Sequence, residues 1–280
     1  MQDLANKVAV ITGAASGFGR ELAIQCAGAG MRLALADLDE AGIGATIALL
    51  PAGTETVTRR CDVSKPNDVE GLAEATYARF GAAHLLFNNA GVAVSGPTWT
   101  TTLDDWKWVL DVNLMGVVHG IRSFVPRMLA QGEPAHIVNT ASAAGLVSPP
   151  GSSVYCVSKH GVVTLSECLH HELALDGLPI GVSVLCPAFV QTGIGHSERH
   201  RPADLADANP LGEAYAEQMR KAIAAGRLTA ADIARITLEG VREGRFYIIT
   251  HPTIKQAIEI RMQDILGDRL PTNTLRASRR

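Results

Sequence analysis

The sequence lacks an excess of either charge. Its 25 Lys and Arg stand against 28 Asp and Glu, a net charge of −3 over 280 residues, with a pI near 6.3. A nucleic-acid binder would carry a basic footprint, and none is visible. The basic ending Arg276-Ala277-Ser278-Arg279-Arg280 is too short to make one and reads as a solvated tail. No uninterrupted apolar run approaches the length of about 18 residues that a membrane span needs, so no membrane partner is expected. Met1 to Lys7 hold an acid and no basic cluster, and the apolar run that follows breaks at Thr12-Gly13. No secretory signal is therefore expected. The five cysteines (Cys26, Cys61, Cys156, Cys168 and Cys186) are odd in number and form no Cys-x-x-Cys pair. That pattern fits free thiols in a reducing cytoplasm, which is the expected location. Charged residues make up 19% and hydrophobic ones 47%, a balance that excludes a disordered chain. The 27 glycines have no fixed period, which excludes a collagen-like array.

What is present is an alternation of short apolar runs and longer helical stretches. Val8–Ile11 is a β-rich run ended by Gly13, and 17–29 then has helical spacing closed by Gly30. Arg32–Ala36, Thr56–Thr58, Leu85–Phe87, His136–Asn139, Val182–Leu185 and Phe246–Ile249 are the further strand candidates. Helical spacing occupies about 40–48, 66–80, 103–130, 155–175 and 229–243. Repeated strand–helix alternation predicts βαβ units, hence an α/β fold: a doubly wound parallel sheet of about seven strands with helices on both faces. No linker or composition shift divides the chain, so 1–280 reads as a single domain. The segment 190–226 is polar, bears His and Arg, and holds Pro202 and Pro210 in otherwise helix-friendly sequence. An insertion after a strand of an open sheet often forms a lid over a ligand, and a plain loop is the alternative.

The first strand runs into Thr12-Gly13-Ala14-Ala15-Ser16-Gly17-Phe18-Gly19 and then a helix. Glycines permit a tight turn and close backbone approach, while a helix start offers free N–H groups and a positive dipole end, so the unit suits a phosphate. The spacing is G-x-x-x-G-x-G, and no Gly-Lys-Ser/Thr follows, which argues against a nucleoside-triphosphatase loop. Asp37 ends the second strand 18 residues past Gly19, where an acid can hydrogen-bond an adenosine ribose. A carboxylate there repels a 2′-phosphate, and neither Ser16 nor Leu38 supplies a cation, so NAD is favoured over NADP. A helix N-cap is the other reading of Asp37, a role Asp39 could fill equally well. His196 and His200 lie four apart, but His-Ser-Glu-Arg-His offers no third ligand, and no metal is expected. His170-His171-Glu172 reads as solvent or interface. Trp99, Trp106 and Trp108 either anchor a helix start or rim a pocket.

These residues carry a resemblance. Thr12-Gly-x-x-x-Gly-x-Gly19, Asp62-Val63, Asn88-Asn89-Ala90-Gly91, Asn113, Ser142, Tyr155-x-x-x-Lys159, and Pro187 with Thr192 make the chain similar to the short-chain dehydrogenase/reductase family over nearly all of 5–250. The resemblance implies a Rossmann fold and a cofactor site of Thr12, Gly13, Ser16, Gly17, Phe18, Gly19, Asp37, Asp62, Val63, Asn89, Ala90, Gly91, Pro187, Val190 and Thr192, together with Tyr155 and Lys159. Asp62 and Val63 would hold the adenine, and Thr192 would meet the nicotinamide carboxamide. Ala188 departs from the Gly that the family usually has after the proline.

Tyr155 and Lys159, four residues apart, share one face of a helix. A phenol with pKa near 10 is a poor base at neutral pH, and two neighbouring cations, the ammonium and an oxidised nicotinamide, would lower it. The resemblance implies that Tyr155 takes the alcohol proton, that Ser142 holds the substrate oxygen, that Lys159 holds the nicotinamide ribose, and that Asn113 positions a water leading onward from Lys159. The expected activity is interconversion of a secondary alcohol and its ketone with NAD. An NADP-preferring carbonyl reductase and a catalytically silent NAD-binding sensor or scaffold are the alternatives. The resemblance also implies a homodimer or homotetramer through the helices at 103–130 and 155–175. After the last strand, Thr250-His251-Pro252 leads into an amphipathic stretch at about 253–266, within an extension of about 251–280. Together with Phe124-Val125-Pro126-Arg127-Met128 and Tyr247-Ile248-Ile249, it is similar to a subgroup containing the Cα-dehydrogenases of lignin aryl ethers. That points to a bulky, hydrophobic alcohol.

Overall fold

A computed structural model describes residues 1–205 and 210–274; the basic ending at 276–280 and part of the 190–226 segment lie outside the described residues. The apolar runs form seven parallel strands: β1 (Val8–Thr12), β2 (Arg32–Asp37), β3 (Thr56–Arg60), β4 (Leu85–Asn88), β5 (Ala135–Thr140), β6 (Ile180–Cys186) and β7 (Tyr247–Ile249). They lie in one sheet in the order β3-β2-β1-β4-β5-β6-β7. Every residue of β1, β4 and β5 is buried, which is why Val8–Ile11 and Leu85–Phe87 read as unbroken hydrophobic runs.

The pleat sends alternate side chains to two layers. Ala9, Ile11, Leu33, Leu35 and Phe87 face one core with residues of α1 (Gly17–Gly28). Val10, Ala34, Leu86 and Ile137 face the other, with residues of α3 (Pro66–Phe80) and α5 (Gly116–Gln131). The remaining helices are α2 (Glu40–Ile47), α4 (Leu103–Leu110), α6 (Ser153–Leu175), α7 (Pro210–Ala224), α8 (Ala230–Glu243) and α9 (Thr253–Leu266). α8 packs on α1, and α5 packs on α3.

Two departures from the sequence reading bear on the site. The stretch expected as one helix at 103–130 carries a π-turn at Asp111–Met115, between α4 and α5. The segment expected as irregular at 190–226 is largely helical where described: a short 3₁₀ stretch, Gly193–His200, kinked at His196, then α7. Pro210 does not interrupt that helix because it occupies the first position, where its missing N–H would have no intrahelical partner.

Between β1 and β4 the chain order reverses, so the connections leaving these strands part to opposite faces and open a crevice at their C-terminal ends. The glycine-rich turn leaves β1 there, and Asn89-Ala90-Gly91 leaves β4 beside it.

Candidate active site

The turn after β1 is shaped by backbone. Gly13 and Gly17 have φ of +69° and +53°, which side-chain-bearing residues seldom adopt. A Cβ on Gly19 would land on the Gly13 carbonyl, so α1 closes against the turn only because glycine stands there. Ser16 is the N-cap, extended, and its side chain makes no capping bond, leaving the first N–H groups of α1 to face outward.

Thr12 ties this turn to β4. Its hydroxyl accepts the Asn89 and Ala90 amides at 2.9 and 3.1 Å, and its carbonyl accepts Asn89 Nδ2 at 3.0 Å. Thr12 and Gly19 do not line the cavity beside them; they hold its floor together. Asp37, at the end of β2, takes the Ala15 amide on Oδ2 at 2.9 Å and the Asp39 amide on Oδ1 at 3.0 Å. It is not the N-cap of α2, a role filled by Asp39 accepting the Gly42 amide. Asp62 folds onto Ser64, accepting its amide at 3.0 Å and its hydroxyl at 2.7 Å.

At the other end, β5 leads into Ser142, which caps a 3₁₀ turn, Ala143–Gly145. Gly145 has no side chain where that turn crosses the Lys159 carbonyl; a Cβ would lie 2.6 Å from it. This close passage brings Ser142 to α6, near enough to the Tyr155 phenol to act on its pKa. Lys159 is 2% exposed. Its Nζ donates to the Thr140 carbonyl at 2.8 Å and lies 5.7 Å from the Tyr155 ring centroid. Asn113, in the π-turn, is fully buried. It accepts the Val92 amide at 2.8 Å, donates to the Val92 carbonyl at 2.9 Å and donates to Ser158 Oγ at 3.1 Å. It pins the loop after β4 to α6 and does not itself line the cavity.

Burial governs the two titratable groups. It raises the Tyr155 phenol to about 12, opposed by the neighbouring Ser142. It lowers the Lys159 ammonium to about 8. With the chain's own side chains alone, desolvation holds the phenol above its ordinary value, whereas the fall expected from the sequence counts on an oxidised nicotinamide beside it as well.

A cavity of about 800 Å³ joins both ends. Gly13, Ser16, Gly17, Phe18, Asp37, Asp62 and Val63 line one half; Asn89, Ala90 and Gly91 line the middle; Ser142, Tyr155, Lys159, Pro187, Val190 and Thr192 line the other half. Residues that sequence reasoning did not assign complete it: Arg20, Phe189, Met219, Ile223 and, from beyond β7, His251. Met219 and Ile223 stand four apart on α7, a spacing that signals a helical face without saying what it covers. Trp108 is buried and lines the cavity, whereas Trp99 is 86% exposed.

The segment over the cavity is anchored at two points. Ser197 Oγ accepts the Ala93 amide at 3.1 Å. Arg201 pairs with buried Asp105 at 2.6 Å, and its guanidinium lies 4.4 Å from the Trp108 ring centroid. His200 lines the cavity, while the kink at His196 keeps the two histidines off a common helical face.

Residues 7–203 match the family described as short chain dehydrogenase. The chain belongs to that family. It is thereby an oxidoreductase with the family's Rossmann fold. A short chain dehydrogenase/reductase from Burkholderia phymatum, solved in complex with NAD, is 49% identical and superimposes with a TM-score of 0.95 over 97% of this chain and 98% of that one. A CLA biosynthesis dehydrogenase/reductase from Lactiplantibacillus plantarum is 37% identical over 277 residues, 97% of each chain. A C alpha-dehydrogenase from a Sphingobium species is 32% identical over 97% of this chain and 89% of the other. No helix among the described residues is long and apolar enough to cross a membrane.

Proposed function

We propose that this short-chain dehydrogenase interconverts a bulky or hydrophobic secondary alcohol and its ketone with NAD. The observation carrying this reading is one continuous cavity with Asp37 at one end and Ser142, Tyr155 and Lys159 at the other. The cradle suits a dinucleotide: Gly13 and Gly17 leave room for a pyrophosphate at the start of α1, and Asp37 stands where an adenosine ribose would. Bound NAD supplies the hydride acceptor and, when oxidised, a positive charge.

The chain's own residues do the rest. Ser142 holds the substrate oxygen beside the phenol. Tyr155 removes or returns the hydroxyl proton, with that added positive charge offsetting the desolvation which otherwise holds its proton on. Lys159 fixes the cofactor ribose and adds to the field on Tyr155. Asn113 keeps the loop after β4 and α6 in register, which sets the path for proton exit from Lys159. Asp62 and Val63 border the adenine, and Pro187, Val190 and Thr192 wall the nicotinamide.

Trp108, Phe189, Met219 and Ile223 give the substrate half an apolar lining, which supports a bulky alcohol. The 190–226 segment serves as the lid over that half. The exposed Met115 and Val157, on the surface near α5 and on α6, fit a homodimer or homotetramer built on these helices, in the cytoplasm.

The test is reduced-nicotinamide formation by the purified protein with NAD and a panel of secondary alcohols, aliphatic through aryl, with Tyr155→Phe beside it. Turnover that falls by roughly 10³-fold in the variant, with NAD still bound, is the expected outcome. Equal turnover by both proteins would remove Tyr155 from the chemistry.

A further inference from the structure

His251 has no role in the chemistry proposed so far, although it borders the cavity. It lies two residues past β7, and its Nδ1 faces two donors: the Ala188 amide at 3.3 Å and the Thr250 hydroxyl at 2.7 Å. An N–H directed at Nδ1 requires the lone pair there, so the proton of the neutral ring is on Nε2. Nε2 is buried and makes no hydrogen bond among the described residues. Burial also lowers the imidazole pKa, favouring that neutral ring.

The amide that His251 holds is a consequential one. Ala188 follows Pro187, whose carbonyl accepts the Ala143 amide at 2.8 Å and the Ser142 hydroxyl at 3.4 Å. The one peptide group between Pro187 and Ala188 is thus gripped at both ends, its carbonyl by the Ser142 turn and its N–H by His251. Past them run Val190 and Thr192, and Thr192 reaches the glycine turn, 3.7 Å from where a Gly17 Cβ would be.

We propose that His251 is a positioning residue for the cofactor: through Nδ1 it fixes Ala188 and so the Pro187–Thr192 wall of the nicotinamide half. The idea rests on the cofactor reading above. It also explains a ring retained with one nitrogen unsatisfied, since the other is the one in use.

The test needs no known substrate. NAD affinity is measured by calorimetry, and thermal stability by scanning, on the full chain and on His251→Asn, His251→Gln and His251→Ala. The Asn side-chain oxygen falls near the Nδ1 position and can accept the Ala188 amide, whereas the Gln amide reaches only to the Nε2 position. The expected result is Kd for NAD within about threefold of the parent for Asn, and weakened roughly tenfold for Gln and Ala, about the effect of one hydrogen bond. A purely structural role would instead lower stability in all three without separating Asn from Gln in Kd. Equal affinities for Asn and Gln, strong or weak, would overturn the proposal. A parent protein that fails to bind NAD would overturn the cofactor reading beneath it, which is a different result. Should the Ala variant not fold, the Asn–Gln comparison still decides.

Discussion

Removing the Asp105 carboxylate should unfasten the proposed lid, and its cost can be worked from the contacts. Asp105 is 2% exposed and does two things at once. Its Oδ2 accepts the Thr102 amide in the capping box of α4, at 3.0 Å. Its Oδ1 accepts Arg201 at 2.6 Å, and the Arg201 side chain is only 7% exposed. Losing half a capping box costs about 1 kcal/mol. Breaking a buried pair by deleting one partner costs about 3–5 kcal/mol, because a charge is left without its counter-ion. Arg201 keeps Glu198, at 2.6 and 2.8 Å, and the Trp108 face, so the lower end applies. Asp105→Ala should therefore lose about 4 kcal/mol, a fall in Tm on the order of 10 °C for a chain this size. Thr102→Ala, which breaks only the cap, should lose about 1 kcal/mol. Arg201→Met leaves Asp105 buried and unpaired, and the double variant should lose less than the two singles together, by about 2 kcal/mol. The assay is thermal and urea unfolding of the parent and the four variants, with KM for an active alcohol followed in parallel. A coupling below about 0.5 kcal/mol would refute the claim that this pair fastens the lid.

The sign of the Lys159 effect is the less familiar one. Its folded-state pKa, about 8, lies below the ordinary 10.5, so the unfolded chain binds more protons across that window and stability rises with pH from about 8 to 10.5. Lys159→Met should remove this rise and stabilise the ligand-free protein at pH 7 by on the order of 2 kcal/mol, the burial penalty less the lost bond to the Thr140 carbonyl, while abolishing turnover. Unfolding at pH 7 and pH 9.5 checks it, and a variant that keeps the parent's pH slope would contradict it. At the opposite end of the cavity, Gly19→Ala should weaken NAD binding at least tenfold, roughly, because its methyl must displace the Gly13 carbonyl. Calorimetry gives the answer, and unchanged affinity would show that the turn can give way.

Much of the frame was legible because the forces that set it are local or periodic. Val8–Ile11 and Arg32–Ala36 read as strands because a parallel sheet covered on both faces needs continuous apolar runs. Tyr155 and Lys159 read as neighbours because helical spacing alone places them on one face. The π-turn at Asp111–Met115 was not legible, because its helix is interrupted where Asn113 meets Val92 and Ser158, contacts that no local pattern encodes. Nor was the bond from His251 to Ala188, which crosses 63 positions. The 190–226 segment misled for a different reason: Pro210 reads as a breaker unless one knows that it begins a helix. The extent to which burial alone raises the phenol was not legible, because sequence shows which charges are near but not how dry their surroundings are.

The π-turn also restricts how the chain can change in length. It is in effect an α-helix that has taken in one extra residue, and each residue of a helix turns the chain by about 100°. Deleting one position within 111–115 would restore regular hydrogen bonding and improve the helix as a helix. The helices on either side would keep their phase, since a π-turn takes about one residue more than an α-turn over the same rotation, but the positions inside the turn would be redistributed and Asn113 would no longer stand between Val92 and Ser158. A shortening that any exposed loop would absorb would here separate the site from its support, so relatives of this chain should vary in length elsewhere.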